Sequence, residues 1–238
     1  MKIAVQVYSV RDHISDPASL MAALAEIKRI GYDGVEFAGY YGADAAHIRE
    51  TLDAVGLTAV GGHIGLDDFK PDKLEATLAF QRALGVPCVG VGGAPHSTLE
   101  ECEETGKVLG YAQQVSGMPI YYHNHSEEFL PLPDGRLPID VIGSFCTLEI
   151  DTYWSFHAGV DNAEFLRSHA DNIVHLHVKD GIDGHPKALG EGNCDLDAVL
   201  DAAKEMGLEW LIVENDDPEP TGFEDIARSL AYIKSKLN

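Results

Sequence analysis

The stretch Ile173-Val174-His175-Leu176-His177-Val178-Lys179-Asp180 alternates strictly, with apolar Val174, Leu176 and Val178 set against ionisable His175, His177 and Lys179. A period of two is the mark of a β-strand whose faces meet different surroundings. Working outward from this segment, short β-branched runs recur at residues 3–8, 34–38, 57–64, 88–93, 119–125, 146–151 and 209–215, which makes eight strands in all. Helical periodicity fills the intervals at 18–30, 44–55, 72–84, 98–116, 163–168, 196–206 and 223–237. Asp16-Pro17 reads as a helix start, and Gly31, Gly56, Gly85, Gly117 and Gly207 stand where helices should stop. Eight strand–helix units of about 30 residues consume the 238 residues, so a single (β/α)8 barrel, a TIM barrel spanning 1–238, is expected. A doubly wound open sheet would want a glycine-rich phosphate turn, and Gly90-x-Gly92-Gly93 lacks its full spacing.

Composition narrows the function classes. With 45% hydrophobic residues and 11 prolines, the chain can fill a core and is not a disordered sequence. Lys and Arg number 17 against 39 Asp and Glu, a formal charge of −22 with no local basic stripe, which argues against nucleic acid and against anionic membrane surfaces as partners. No apolar run approaches the span of a bilayer, and the first residues carry no export pattern. Cys88, Cys102, Cys146 and Cys194 lie far apart, which points to free thiols and a cytoplasmic location.

The same alternation sorts the other strands. Leu148 and Ile150 oppose Thr147, Glu149 and Asp151; Tyr121, His123 and His125 share a face; Val35 and Phe37 oppose Glu36; Val60 and Ile64 oppose Gly61 and His63; Trp210, Ile212 and Glu214 go together. Ionisable groups on a barrel axis cost several kcal/mol apiece unless they are paired or bind metal. Asp151, His177 and Glu214 are late residues of their strands, and Glu128 lies three residues beyond the fifth. All four are expected at the C-terminal mouth, where barrels keep their chemistry. Three carboxylates and one imidazole suit Mn²⁺ first, with Mg²⁺, Co²⁺ or Zn²⁺ as alternatives. Glu149 reads as an interior partner of Lys179 or His175, while His47, His96, His169 and His185 read as structural. Residues 129–143, rich in Pro and Gly, read as a long loop with at most a short helix.

The motifs Tyr122-His123-Asn124-His125-x-x-Glu128-Phe129, Leu148-Glu149-Ile150-Asp151-x-x-Trp154, His175-Leu176-His177-Val178-Lys179-Asp180, Gly190-Glu191-Gly192 and Ile212-Val213-Glu214-Asn215 are recognisable together. In order and spacing they resemble the sugar phosphate isomerase/epimerase group of the xylose isomerase-like barrel superfamily, over nearly the whole chain. The resemblance implies a divalent metal on Glu128, Asp151, His177 and Glu214. It further implies that Glu128 and Glu214 exchange a substrate proton, and that His63, His125, His157, Lys179 and Glu191 line the sugar pocket.

A metal beside a carbonyl oxygen and a carboxylate beside the adjacent C–H together permit proton removal and return. The expected activity is therefore isomerisation or epimerisation of a keto-sugar, cyclitol or 3-keto-glycoside. Lyase or hydrolase action on 3-keto-glycosides, and a non-catalytic sugar-binding subunit of a complex, are the alternatives. The superfamily's DNA endonuclease activity fits poorly with so acidic a chain. Few basic residues are available for a phosphate, chiefly Arg11, Lys179 and Lys187, so an unphosphorylated sugar is expected. Self-association is left open.

Overall fold

A computed structural model describes residues 1–237. Its strands are β1 (Lys2–Gln6), β2 (Gly34–Ala38), β3 (Thr58–His63), β4 (Val89–Val91), β5 (Ile120–His123), β6 (Thr147–Asp151), β7 (Ile173–Val178), β8 (Asp180–Ile182), β9 (His185–Lys187) and β10 (Trp210–Val213). Eight of them close into a parallel barrel in the order β1-β10-β7-β6-β5-β4-β3-β2, while β8 and β9 form a separate antiparallel hairpin. The helices are α1 (Pro17–Ile30), α2 (Ala45–Val55), α3 (Leu74–Leu84), α4 (Leu99–Ser116), α5 (Pro138–Gly143), α6 (Thr152–His157), α7 (Asn162–Ser168), α8 (Leu196–Glu205) and α9 (Gly222–Leu237). The TIM barrel expected from the alternation is the fold observed, and among the described residues no helix is long and apolar enough to cross a membrane.

Local chemistry sets the helix ends. The Asp16 carboxylate accepts from the Ser19 amide at 2.8 Å, and Ser19 Oγ accepts in return from the Asp16 amide at 3.0 Å, with Pro17 in the first turn. Gly31, Gly56, Gly85 and Gly117 cap α1 to α4 in the left-handed conformation. Two elements are new relative to the sequence pattern. Helix α6 starts at the residue after β6, and the β8–β9 hairpin occupies the connection after β7.

The main core lies between the barrel wall and the helices, where Val35, Phe37, Leu148, Ile150, Leu176 and Val178 meet the inner faces of helices such as α1 (Leu20, Leu24, Ile27). A smaller apolar plug of Ala4, Val60 and Ile212, with Trp210 packed on it, fills the barrel near the N-terminal ends of the strands. Val60 departs from the expected helix-facing set. The β2–β3 register shifts between Val35 and Glu36, so Val35 pairs with Ala59 and Glu36 with Gly61. Val60 is the extra residue of this bulge, which lets it join the plug while Gly61 and His63 keep the inward face.

Asp180 ties the Lys179-Asp180 and Gly190-Glu191-Gly192 motifs together. Its buried carboxylate accepts from the amides of Gly181 (2.9 Å), Gly190 (2.9 Å), Gly192 (3.0 Å) and Cys194 (3.1 Å), gathering the loop that follows the hairpin. A Cβ on residue 192 would fall 2.1 Å from Asp180 Oδ1, so only glycine fits this approach. Asp180→Ala should leave several of these amides without a partner and cost about 3 kcal/mol. That corresponds to a fall in Tm of roughly 6–12 °C for a chain of this size. Urea unfolding checks this, and a loss below about 1 kcal/mol would mean that other contacts hold the loop.

Candidate metal centre

Four side chains from four neighbouring barrel strands converge at the C-terminal mouth. His123 ends β5, Asp151 ends β6, His177 is the penultimate residue of β7, and Glu214 follows β10. Strand register aligns them, since Asp151 pairs with His177 and His177 pairs with Ile212, two residues before Glu214. One ligand atom from each lies within 4.8 Å of the other three, and all four residues are buried.

Each donor is oriented by its own element. Asp151 is the N-cap of α6: Oδ1 accepts from the amides of Tyr153 and Trp154, both at 2.9 Å, and Oδ2 is left toward the mouth. His177 Nδ1 lies 2.9 Å from Glu214 Oε2. His123 Nε2 lies 3.5 Å from Asp151 Oδ2 and 4.0 Å from Glu214 Oε2, and neither of its ring nitrogens has a hydrogen-bond partner. A buried imidazole with both nitrogens unsatisfied is rare. Donors that share one ion at about 2.0–2.3 Å sit some 3–4 Å apart, which is the spacing here. The donor set thus fits a divalent metal.

The electrostatics keep the donor carboxylates ionised. Although burial works against ionisation, Lys179 and His177 hold the Glu214 carboxyl well below its ordinary range, and Lys179 and His123 lower Asp151 likewise. Burial also opposes the charge on His177, but Glu149, Glu214 and Glu36 outweigh it and raise its pKa well above the usual imidazole value. Lys179 donates to Asp151 Oδ2 and Glu214 Oε2, each at 3.1 Å, and to Asp216 Oδ2. Binding of a metal at such a site displaces protons from its ligands.

Above the donors lies a cavity of about 480 Å³ lined by Tyr8, Ala38, His63, Gly92, His123, His125, Trp154, Glu214 and Asp216. Trp154 Nε1 donates to Asp216 Oδ2 at 3.1 Å. Burial, and then the neighbouring His123, depress the pKa of His125. For His63, burial is outweighed by the carboxylates of Glu36 and Glu149, and its pKa rises. Arg11 is engaged by the carbonyl oxygens of Tyr8 and Asp216, and Lys187 by Glu219.

Three of the sequence-derived donors, Asp151, His177 and Glu214, come together, but Glu128 does not join them. It sits in the turn after β5 with its carboxylate taken by the Tyr122 hydroxyl (2.6 Å) and the His125 amide (2.9 Å), near His96. Tyr122 and His123 are adjacent in an extended strand and point to opposite faces, so a carboxylate bound to Tyr122 is turned under the helices. His123 takes the β5 position instead. The inward alternation of Tyr121, His123 and His125 was the signal for it. Among the residues expected to line the pocket, His63 and His125 do so, and Lys179 lies fully buried against the donor carboxylates. His157 is exposed, stacked on Tyr153, and Glu191 is ion-paired with Arg228 of α9 at 2.7 Å; neither borders the cavity. Glu149 partners His175 as expected, but also His63 and His177, while the carboxylates around Lys179 are others.

Comparison with known proteins bears on this arrangement. The model of the xylose isomerase-like TIM barrel family matches residues 24–236. The chain is 25% identical to the rhizopine catabolism protein MocC of Rhizobium meliloti, over 92% of this chain and 84% of that protein. A sugar phosphate isomerase/epimerase from Parabacteroides distasonis superposes with a TM-score of 0.86 at 19% identity, covering 98% of this chain and 96% of that one. The IolI protein, crystallised with a bound zinc atom, superposes with a TM-score of 0.74 at 18% identity, covering 100% and 98%.

Titration of the metal-free protein with Zn²⁺ or Mn²⁺ should give one equivalent per chain. His123→Ala should weaken binding by more than about tenfold, whereas Glu128→Gln should leave stoichiometry intact and affinity within about twofold. Uptake that survives loss of His123 but not the Glu128 substitution would return Glu128 to the ligand set.

Proposed function

This chain belongs to the xylose isomerase-like TIM barrel family, and on that premise we propose that it is a divalent-metal-dependent isomerase or epimerase. It moves a proton next to a carbonyl of an unphosphorylated keto-sugar, cyclitol or 3-keto-glycoside. The observation that carries this reading is the buried imidazole of His123, unpartnered at both nitrogens and facing the carboxylates of Asp151 and Glu214 at the floor of an open cavity. The likeness to a sugar phosphate isomerase/epimerase and to a zinc-bound barrel is consistent with it.

In this reading His123, Asp151, His177 and Glu214 hold the metal, with Mn²⁺ the expected ion. A divalent ion bound there supplies stabilisation of the negative charge that develops on substrate oxygens when a neighbouring proton leaves. The chain's own residues do the rest. Glu214, at the cavity wall, takes the proton from carbon, and its contact with Lys179 keeps the carboxylate ionised for that task. A proton is supplied to the carbon by the His63 imidazolium, whose pKa the Glu36 and Glu149 carboxylates raise, while Glu214 releases the proton it took to solvent, from which His63 is recharged; Glu128 faces the wrong side of β5 for this role. Trp154 offers an aromatic face to the sugar and is held by its bond to Asp216.

The charge of the mouth supports an unphosphorylated substrate. Lys179 is engaged by three carboxylates and Arg11 by two backbone carbonyls, so neither is available to a phosphate without giving up those partners.

A panel of keto-sugars, cyclitol ketones and 3-keto-glycosides incubated with Mn²⁺ in D₂O tests the proposal. Deuterium should enter one C–H position of a turned-over substrate, and Glu214→Gln should slow that exchange by at least about a hundredfold. Exchange that persists in Glu214→Gln would remove Glu214 as the base, and turnover of phosphorylated sugars alone would overturn the assignment of substrate class.

A further inference from the structure

Below the donors the barrel holds a second cluster, Glu36, His63, Glu149 and His177, which the metal reading leaves without a role. Its shortest imidazole–carboxylate contacts are closer than those above it. His177 Nε2 lies 2.6 Å from Glu36 Oε2, and His63 Nε2 lies 2.6 Å from Glu149 Oε2. These are charge-assisted hydrogen-bond lengths, each filled by one proton, whereas the His123 nitrogens above have no such partner. The lower cluster is therefore built around protons, and His177 belongs to both layers.

We propose that Glu36 is a positioning residue that locks the imidazole of His177 as the Nε2–H tautomer, so that Nδ1 is the atom presented to a cation at the mouth. This rests on the metal reading above and assigns it a second carboxylate layer. Three donors converge on Glu36 from different strands: Gln6 Nε2 on Oε2 at 2.8 Å, the Tyr121 hydroxyl on Oε1, and His177 Nε2 on Oε2. A carboxylate surrounded by donors has no use for a proton of its own and demands one from each neighbour. In the other tautomer, the bare lone pair of Nε2 would face carboxylate oxygen at 2.6 Å, which is repulsive, and Nδ1–H would point into the ion's position.

The backbone makes room for this arrangement. A Cβ on residue 61 would lie 2.7 Å from the Tyr121 hydroxyl oxygen and 3.0 Å from Glu36 Oε1, so the glycine at that position lets Tyr121 reach across the barrel and hold Glu36. Glu36 is fully buried and does not border the mouth cavity, so it acts on the mouth through the side chains it touches, His177 first.

Two measurements on the full-length protein test this. In protein labelled with ¹⁵N-histidine and loaded with Zn²⁺, long-range ¹H–¹⁵N correlation should show His177 protonated at Nε2 and metal-bound at Nδ1; the reverse pattern overturns the proposal. In competition with a chromophoric chelator, Glu36→Gln should bind Zn²⁺ about 10–100-fold more weakly than the parent. The Co²⁺-loaded form should show a shifted d–d absorption band. Should Glu36→Gln not fold, Tyr121→Phe, which removes one donor to Glu36, should weaken Zn²⁺ binding about two- to fivefold. Unchanged Zn²⁺ affinity in folded Glu36→Gln, or in Tyr121→Phe when that variant is the one in hand, with the parent binding normally, sinks this inference and leaves the metal centre standing. A parent protein that takes up no Zn²⁺ sinks both.

Discussion

The interior of this barrel is governed by the need to pair buried charge. Glu36, Glu149, Asp151 and Glu214 are removed from water in a space a few residues across, where an uncompensated carboxylate would cost several kcal/mol. Each meets a protonatable or cationic partner: His63, His175, His177 and Lys179 supply the positive or donating groups. Satisfying that condition produces layers along the axis. An apolar plug closes the bottom, a proton-linked carboxylate–imidazole layer lies above it, and the donor set opens to the cavity at the top. Because His177 and Lys179 each serve several carboxylates, stability and site geometry are coupled through the same contacts.

The recognisable motifs divide by strand parity into residues that face the axis and residues that tether the chain. Asn124, between His123 and His125, accepts from the Asp151 amide at 3.0 Å and so joins β5 to β6 at the mouth. Asn215, beside Glu214, donates to Asp225 of α9 at 2.9 Å and accepts from the Asp217 amide at 2.9 Å, while its own amide donates to Ser9. Asp180, beside Lys179, gathers the loop after the hairpin. The polar residue next to each of these inward groups thus fixes the backbone from which that group projects.

The loop carrying Glu191 illustrates the reverse. Gly192 is required by the close approach to Asp180 and Gly190 by its positive φ and the ring of Tyr232, while the glutamate between them projects outward to Arg228. A motif can therefore recur for the sake of its backbone while its most chemically suggestive side chain serves the surface. The Glu128 turn has the same logic: the carboxylate accepts from the Tyr122 hydroxyl and the His125 amide and so holds the turn against β5.

What the amino-acid order determined by itself is whatever depends on neighbours along the chain. Alternation within strands, helical periodicity, the Asp16-Pro17 start and the glycine stops all act over a few residues, and through them the barrel and the inward direction of Glu149, Asp151, His177 and Glu214 were legible. Only the tertiary structure placed His123, and not Glu128, beside Asp151, His177 and Glu214, because that placement turns on which side of β5 a loop carboxylate falls after the chain has turned. It alone revealed the Val60 bulge, the pairing of Glu191 with Arg228 and the distance of His157 from the cavity. These depend on contacts between residues far apart in sequence, and no local periodicity encodes them.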